Sequence, residues 1–176
     1  MLKINIYKST EKPKYSLIAR IFHWGFVFLF AYGLYKQVED LNQLEDISLL
    51  KFEILFASFF LILLLCRFYY MKKTQKTSLP EDTNIAQKIA AKTVHYSMYA
   101  TLATIPVTGI VIGFIYWIGL KDGFIIDTMI TIHESSIILM YWLVAIHVSA
   151  AIFHRFLGDG VWSSMVPFFK ERVRKK

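Results

Sequence analysis

The sequence predicts an all-α integral membrane protein, a four-helix bundle that crosses the bilayer four times with both termini in the cytoplasm. Three observations carry that prediction. First, the 176-residue chain is 56% hydrophobic and only 19% charged, whereas a soluble domain is typically about 45–50% apolar and about 25% charged. Second, the apolar residues are gathered into four blocks, each long enough for one crossing, which takes roughly 20 residues. Third, Lys and Arg fall in alternate connections, as the positive-inside rule requires. The single cysteine, Cys66, excludes an intramolecular disulfide and a thiolate metal cage. Any metal chemistry must therefore rest on the five histidines.

The expected spans are residues 16–36, 47–70, 88–120 and 124–157, preceded by a cytoplasmic segment over 1–15 and followed by a basic cytoplasmic tail over 159–176. Together they make one four-helix domain over 16–158. In the first span only Arg20 and His23 interrupt the apolar run from Leu17 to Tyr35. The second is built on ILFASFFLILLLC, which has no charge, and extends back through Glu53 and Lys51. The third and fourth exceed the minimal length, so tilt or an interfacial extension is expected. Pro106 lies deep in the third and should kink it. The N-terminal MLKINIYKSTEKPKY lacks the apolar core of a signal peptide.

Orientation follows from charge. Of 20 Lys and Arg residues, 17 precede or open span one, flank the connection between spans two and three, or follow span four. The opposite side receives Glu39, Asp40, Glu45 and Asp46 and the turn GLKDGF. The net charge of +7 is thus an orientation signal, and no nucleic-acid partner is expected. Trp24, Tyr32, Trp117, Trp142 and Trp162 read as interface anchors or packing groups.

All five histidines, His23, His95, His133, His147 and His154, fall within a span or at its edge. An ionisable side chain in lipid usually faces the bundle interior and finds a partner there. His133 and His147 are 14 residues apart, which returns them to nearly the same helix face and separates them by about 21 Å. One helix therefore offers an imidazole near each membrane surface. His23 lies about 10 Å into span one and His147 about 15 Å from the cytoplasmic end of span four, so they can meet at one depth. Two imidazoles facing each other from neighbouring helices can clamp a haem iron axially, which favours electron transfer over oxygen binding. His23 and His147 are assigned as that pair.

His133 needs a partner on span two, and the residue at matching depth is Glu53. Three alternatives stand there: a second haem held by His133 alone, one with Glu53 as an unusual ligand, or no second haem. His95 lies at the depth of His147 and could replace His23 as a ligand or act as a hydrogen-bonding proton carrier. His154, at the cytoplasmic boundary, fits a contact to a quinone headgroup or a haem propionate, or simply an interfacial histidine. Arg20, one turn before His23, can pair with a propionate or snorkel.

The stretches RIFHW, VHYSMYATLATIPVTG and IHESSIILMYWLVAIHVSAAIFHRFLGDGVWSSMVP resemble the bacterial cytochrome b561 family, small four-helix membrane proteins with two haems b. The resemblance covers about residues 15–167. A weaker likeness to cytochrome b subunits of hydrogenases and formate dehydrogenases rests on the 14-residue histidine spacing. The family likeness implies that His23 pairs with His147, and that His133 pairs with a histidine on span two. Counting back from Arg67, that position is Glu53 here. His95 and His154 match further family histidines, the latter associated with ubiquinone. The resemblance implies electron transfer between a ubiquinone or menaquinone pool and a periplasmic or peripheral redox partner in the bacterial inner membrane. One branch of the family oxidises superoxide and reduces ubiquinone. An acidic outer loop argues against that activity here, since an anion is guided by a basic funnel. The remaining alternatives are a membrane-anchor cytochrome b subunit of a larger oxidoreductase and a haem-free helical scaffold. A homodimer is left open.

Overall fold

The computed structural model describes residues 15–171, and among them every regular element is helical. The predicted N-terminal segment up to residue 14, and Arg172, Arg174, Lys175 and Lys176 of the predicted tail, lie outside the described residues. Four long helices follow in order: α1 (Leu17–Tyr35), α2 (Ile47–Thr74), α3 (Ile85–Trp117) and α4 (Phe124–Leu157). All four are long and apolar enough to cross a membrane. A short 3-10 turn, Leu41–Glu45, joins α1 to α2, and a five-residue helix α5 (Val161–Met165) follows α4.

Each start is written in a capping residue. Ser16, Asp46 and Asn84 accept hydrogen bonds from the amides of Ala19, Ser48 and Ala86, which satisfies donors that have no partner inside the helix. Asn84 explains why α3 begins at Ile85, three residues before the expected start. It stops at Trp117, three residues early, because Gly119 turns the chain with φ of 92°. α4 ends at Gly158, whose left-handed conformation closes the last turn. Pro106 is buried within α3, where its ring removes one backbone donor.

The core is narrow. Phe26, Phe60, Leu64, Leu102 and Met140 pack at one level, and Leu44, Leu50, Ile115, Tyr116 and Ile126 nearer the α1–α2 connection. Phe28, Phe59, Ile62, Ile138 and Trp142 instead point outward from the middle of their helices. In water that surface would be prohibitive; against acyl chains it costs nothing, and association rests on packing and interhelical hydrogen bonds. α3 packs closely on both α2 and α4, whereas α1 leans on α2 and its backbone stays apart from α4.

Cross-links at each end fix which connections share a side. Ser16 joins the start of α1 to the end of α2, its amide donating to Gln75 Oε1 at 3.1 Å and its hydroxyl meeting the Tyr70 hydroxyl at 2.9 Å. At the opposite end Lys121 pairs with Glu45 at 3.0 Å. This pairing is the alternation that the charge distribution implied. The start of the predicted tail is folded: Trp24 Nε1 donates to the Met165 carbonyl, Phe168 packs on Trp24, and Ser163 and Glu171 exchange two hydrogen bonds.

Candidate functional site

Three histidines meet at the level where α1 starts and α4 ends. The His23 ring on α1 faces the His147 ring on α4, with ring centres 6.2 Å apart and planes at 56°. His95 on α3 approaches the same His147 more closely, at 5.1 Å and 67°. Those two spacings differ in what they can hold. An imidazole nitrogen binds a first-row metal at about 2 Å and stands about 1 Å from its ring centre, so two rings on opposite sides of one metal have centres about 6 Å apart. The His23–His147 spacing meets that requirement and the His95–His147 spacing falls short of it.

Two arginines reach toward this level. Arg20 lies one turn before His23, and its Nε is buried with no hydrogen-bond partner. Arg67 on α2 is within electrostatic reach of His23, His95 and His147. Its guanidinium donates to the Tyr99 hydroxyl at 2.7 Å and lies over the rings of Phe26 and Tyr99, while its Nε is again unpartnered. Buried polar groups are normally satisfied, so two guanidinium groups with spare donors suit a carboxylate ligand such as a haem propionate. Sequence reasoning used Arg67 only as a register mark. The signal that was there to read is a lone arginine ending an otherwise uncharged run of α2.

His154 sits at the end of α4. Its Nδ1 meets Asp159 Oδ2 at 2.6 Å, with both side chains largely buried, and Asp159 Oδ1 also accepts from the Val161 amide. A carboxylate there accepts the Nδ1 proton, which leaves Nε2 as the chemically available nitrogen. Arg155 turns the other way and stacks on Trp162 and Phe169. Asp159 was not foreseen as a partner, although it stands five residues on, just past the glycine that ends the helix.

The opposite half of the bundle contains an open cavity of about 230 Å³ lined by residues of all four helices. Both Glu53 from α2 and His133 from α4 line it. His133 Nδ1 lies 2.9 Å from the Thr108 hydroxyl, which also approaches the Thr104 carbonyl at 2.7 Å. A hydroxyl has one proton to give. With that proton on the carbonyl, Thr108 accepts from His133 Nδ1–H, and the lone pair of Nε2 is left for another partner. Gly109 flattens the wall beside the ring: a Cβ there would come within 3.4 Å of His133 Cε1. Glu53 Oε1 is buried and makes no hydrogen bond.

Among the described residues, no cluster of three or more His, Cys, Asp or Glu side chains is arranged to hold a bare metal ion. Two facing imidazoles therefore suit a metal whose equatorial nitrogens come with a macrocycle. The sequence profile described as prokaryotic cytochrome b561 matches residues 14–168. The chain belongs to the prokaryotic cytochrome b561 family. No curated protein and no solved structure matches it significantly. Cytochrome b561 membership brings haem b binding and membrane electron transfer, and both agree with the four spans and the paired imidazoles. Of the residues lining the cavity beside Glu53, His133 is the one imidazole, and bis-imidazole ligation does not fit there.

Proposed function

We propose that this cytochrome b561 carries electrons in the bacterial inner membrane between a quinone at its cytoplasmic side and a second redox partner, through a haem b held by His23 and His147. The observation that carries the reading is the 6.2 Å separation of those two rings across the gap between α1 and α4. His23 and His147 would hold the haem from both sides, and the group would supply electron transfer rather than oxygen binding. The protein's part is to fix and insulate. α1 and α4 present the imidazoles, while Phe22, Phe26, Leu29 and Val144 form apolar packing near that level. Arg20 and Arg67 offer their unpartnered Nε donors to the propionates. His95 packs edge-on to His147 and orients it from the α3 side.

The quinone reading rests on His154 and Asp159. Reducing a quinone to a quinol adds two protons with two electrons, so its site needs a proton carrier at the water boundary. His154, held through Nδ1 by Asp159, presents Nε2 for that purpose. The cytoplasmic placement follows from the basic connections on that side. Lys121 is drawn into an ion pair with Glu45, beside Glu39, Asp40 and Asp46 on the outer side, so an anion such as superoxide finds no basic funnel there. The test is reduction of the purified cytochrome by short-chain ubiquinol or menaquinol. The wild type should be reduced by one of them, and His154→Ala should slow that reduction at least tenfold with its haem spectrum unchanged. Equal rates in the two proteins would remove His154 from the quinone site.

A further inference from the structure

The cavity in the outer half of the bundle is apolar over most of its wall, and its polar groups are acceptors. Glu53 of α2 and His133 of α4 line it, as do Glu39 and Glu134, and among the described residues no Lys or Arg does. The Glu53 carboxyl has no hydrogen-bond or ion-pair partner among those residues, and its Oε1 is buried. An ionisable group within a membrane span is costly unless something pairs with it. His133 supplies a second acceptor. The Thr108 hydroxyl that meets its Nδ1 lies 2.7 Å from the Thr104 carbonyl and 3.0 Å from that of Ile105. The hydroxyl proton therefore goes to a carbonyl, Nδ1 carries the imidazole proton, and Nε2 keeps its lone pair for a donor. The Gln37 amide is the one other polar side chain on the wall.

Such a wall selects a ligand that donates and carries positive charge. A carboxylate or a carbonyl brings only acceptors, whereas an ammonium group brings three donors and no acceptor. The apolar part of the wall suits the remainder of such a molecule. Phe56 and Phe60 both line the cavity, with ring centres 6.4 Å apart and planes at 45°, and the face of an aromatic ring attracts a cation. We propose that the cavity binds a primary amine in its ammonium form, with an aromatic or branched apolar body, its N–H groups donating to the Glu53 carboxylate and to His133 Nε2. A phosphatidylethanolamine headgroup has the same ammonium chemistry but would set its phosphate against the carboxylates with no Lys or Arg to receive it. The occupant is therefore a free amine. The site lies in the half of the bundle away from His23 and His147, and the proposal stands independently of the haem between them.

The test uses the full-length protein as purified, in phosphatidylcholine nanodiscs, with protein-free nanodiscs as the blank. Fluorine NMR compares the binding of para-fluorobenzylamine, which is protonated at neutral pH, with that of para-fluorobenzyl alcohol, its neutral analogue. The amine should bind the wild type about tenfold or more tightly than the alcohol, as a charge-assisted hydrogen bond exceeds a neutral one. Glu53→Gln should bring the amine down to the level of the alcohol, and Phe56→Leu should weaken it by about threefold. Glu45→Gln, at a carboxylate that pairs with Lys121 and does not line the cavity, should leave binding unchanged. Equal binding of the two probes by the wild type would overturn the proposal without recourse to any variant, as would no binding of the amine or binding that survives Glu53→Gln. Loss of amine binding when phosphatidylethanolamine is added to the nanodiscs would give the site to the lipid headgroup and overturn the free amine as its occupant.

Discussion

Gly113 gives the sharpest check on how α2 and α3 hold the outer cavity. A Cβ added there would sit 2.8 Å from Ile54 Cγ1, 3.1 Å from Ile54 Cδ1 and 3.4 Å from Leu50 Cδ1. Carbon atoms in good contact stand about 3.5–4.0 Å apart, so one side chain or one helix must move by most of an ångström. Ile54 cannot simply swing away, because a β-branched residue in a helix has one strongly preferred rotamer. Overpacking of this kind costs about 1–3 kcal/mol, against roughly 0.5–1 kcal/mol gained by replacing a helical glycine with alanine. Gly113→Ala should therefore destabilise the bundle by about 1–2 kcal/mol, taking those two ranges together. Gly25→Ala, with nothing within 4 Å of the new methyl, should be neutral or stabilising. The assay is reversible unfolding in mixed micelles followed by far-ultraviolet circular dichroism. Ile54→Ala removes the opposing Cγ1, and in that background the cost of Gly113→Ala should fall by about 1–2 kcal/mol, a coupling that a double-mutant cycle resolves. Equal responses of the two glycines, or no coupling to Ile54, would refute the close approach of α2 and α3.

Three further outcomes follow from named contacts. Thr108→Val leaves His133 Nδ1 without its hydroxyl partner on α3 and should destabilise the bundle by about 1 kcal/mol, read by unfolding in mixed micelles. Arg67→Gln removes a cation beside the inner histidines, worth about 1 kcal/mol or roughly 40 mV for a one-electron couple, so spectroelectrochemical titration should find the inner midpoint lowered by tens of millivolts. Asp46, at the start of α2, has its carboxyl held below the ordinary 3.8 by hydrogen bonds from Ser48. A depressed carboxyl stabilises the fold above its ordinary value, and that contribution is lost as pH falls through the folded value. Amide exchange in the first turn of α2 should accordingly quicken in acid in the wild type, and in Asp46→Ala it should be fast at every pH.

Much of the fold was legible because the bilayer imposes a length and an apolar pattern on each helix. The helices α1 (Leu17–Tyr35) and α4 (Phe124–Leu157) coincide with apolar runs of the sequence, while α2 runs on to Thr74, past the expected residue 70. The misplaced ends of α3 were set by Asn84 and Gly119, which are local signals a hydropathy reading passes over. The approach of His23 to His147 at one level was legible because depth along a helix is arithmetic at a fixed rise per residue. Lateral position is different: it depends on which helices adjoin. No spacing in the chain announces that Thr108 on α3 meets His133 on α4, or that Arg67 stacks on Tyr99 beside three histidines. The same limit hid the return of residues 161–169 onto Trp24, since a short aromatic segment that leads into a basic end reads as a tail until it has something to pack against.

The central claim is that His23 and His147, and not His95, clamp the inner haem. Low-temperature electron paramagnetic resonance of the purified protein tests it directly when His23→Ala, His95→Ala and His147→Ala are compared with the wild type. The low-spin bis-imidazole signal should vanish in His23→Ala and His147→Ala and survive in His95→Ala. Survival in His23→Ala together with loss in His95→Ala would contradict the account and move the ligand pair to His95 and His147.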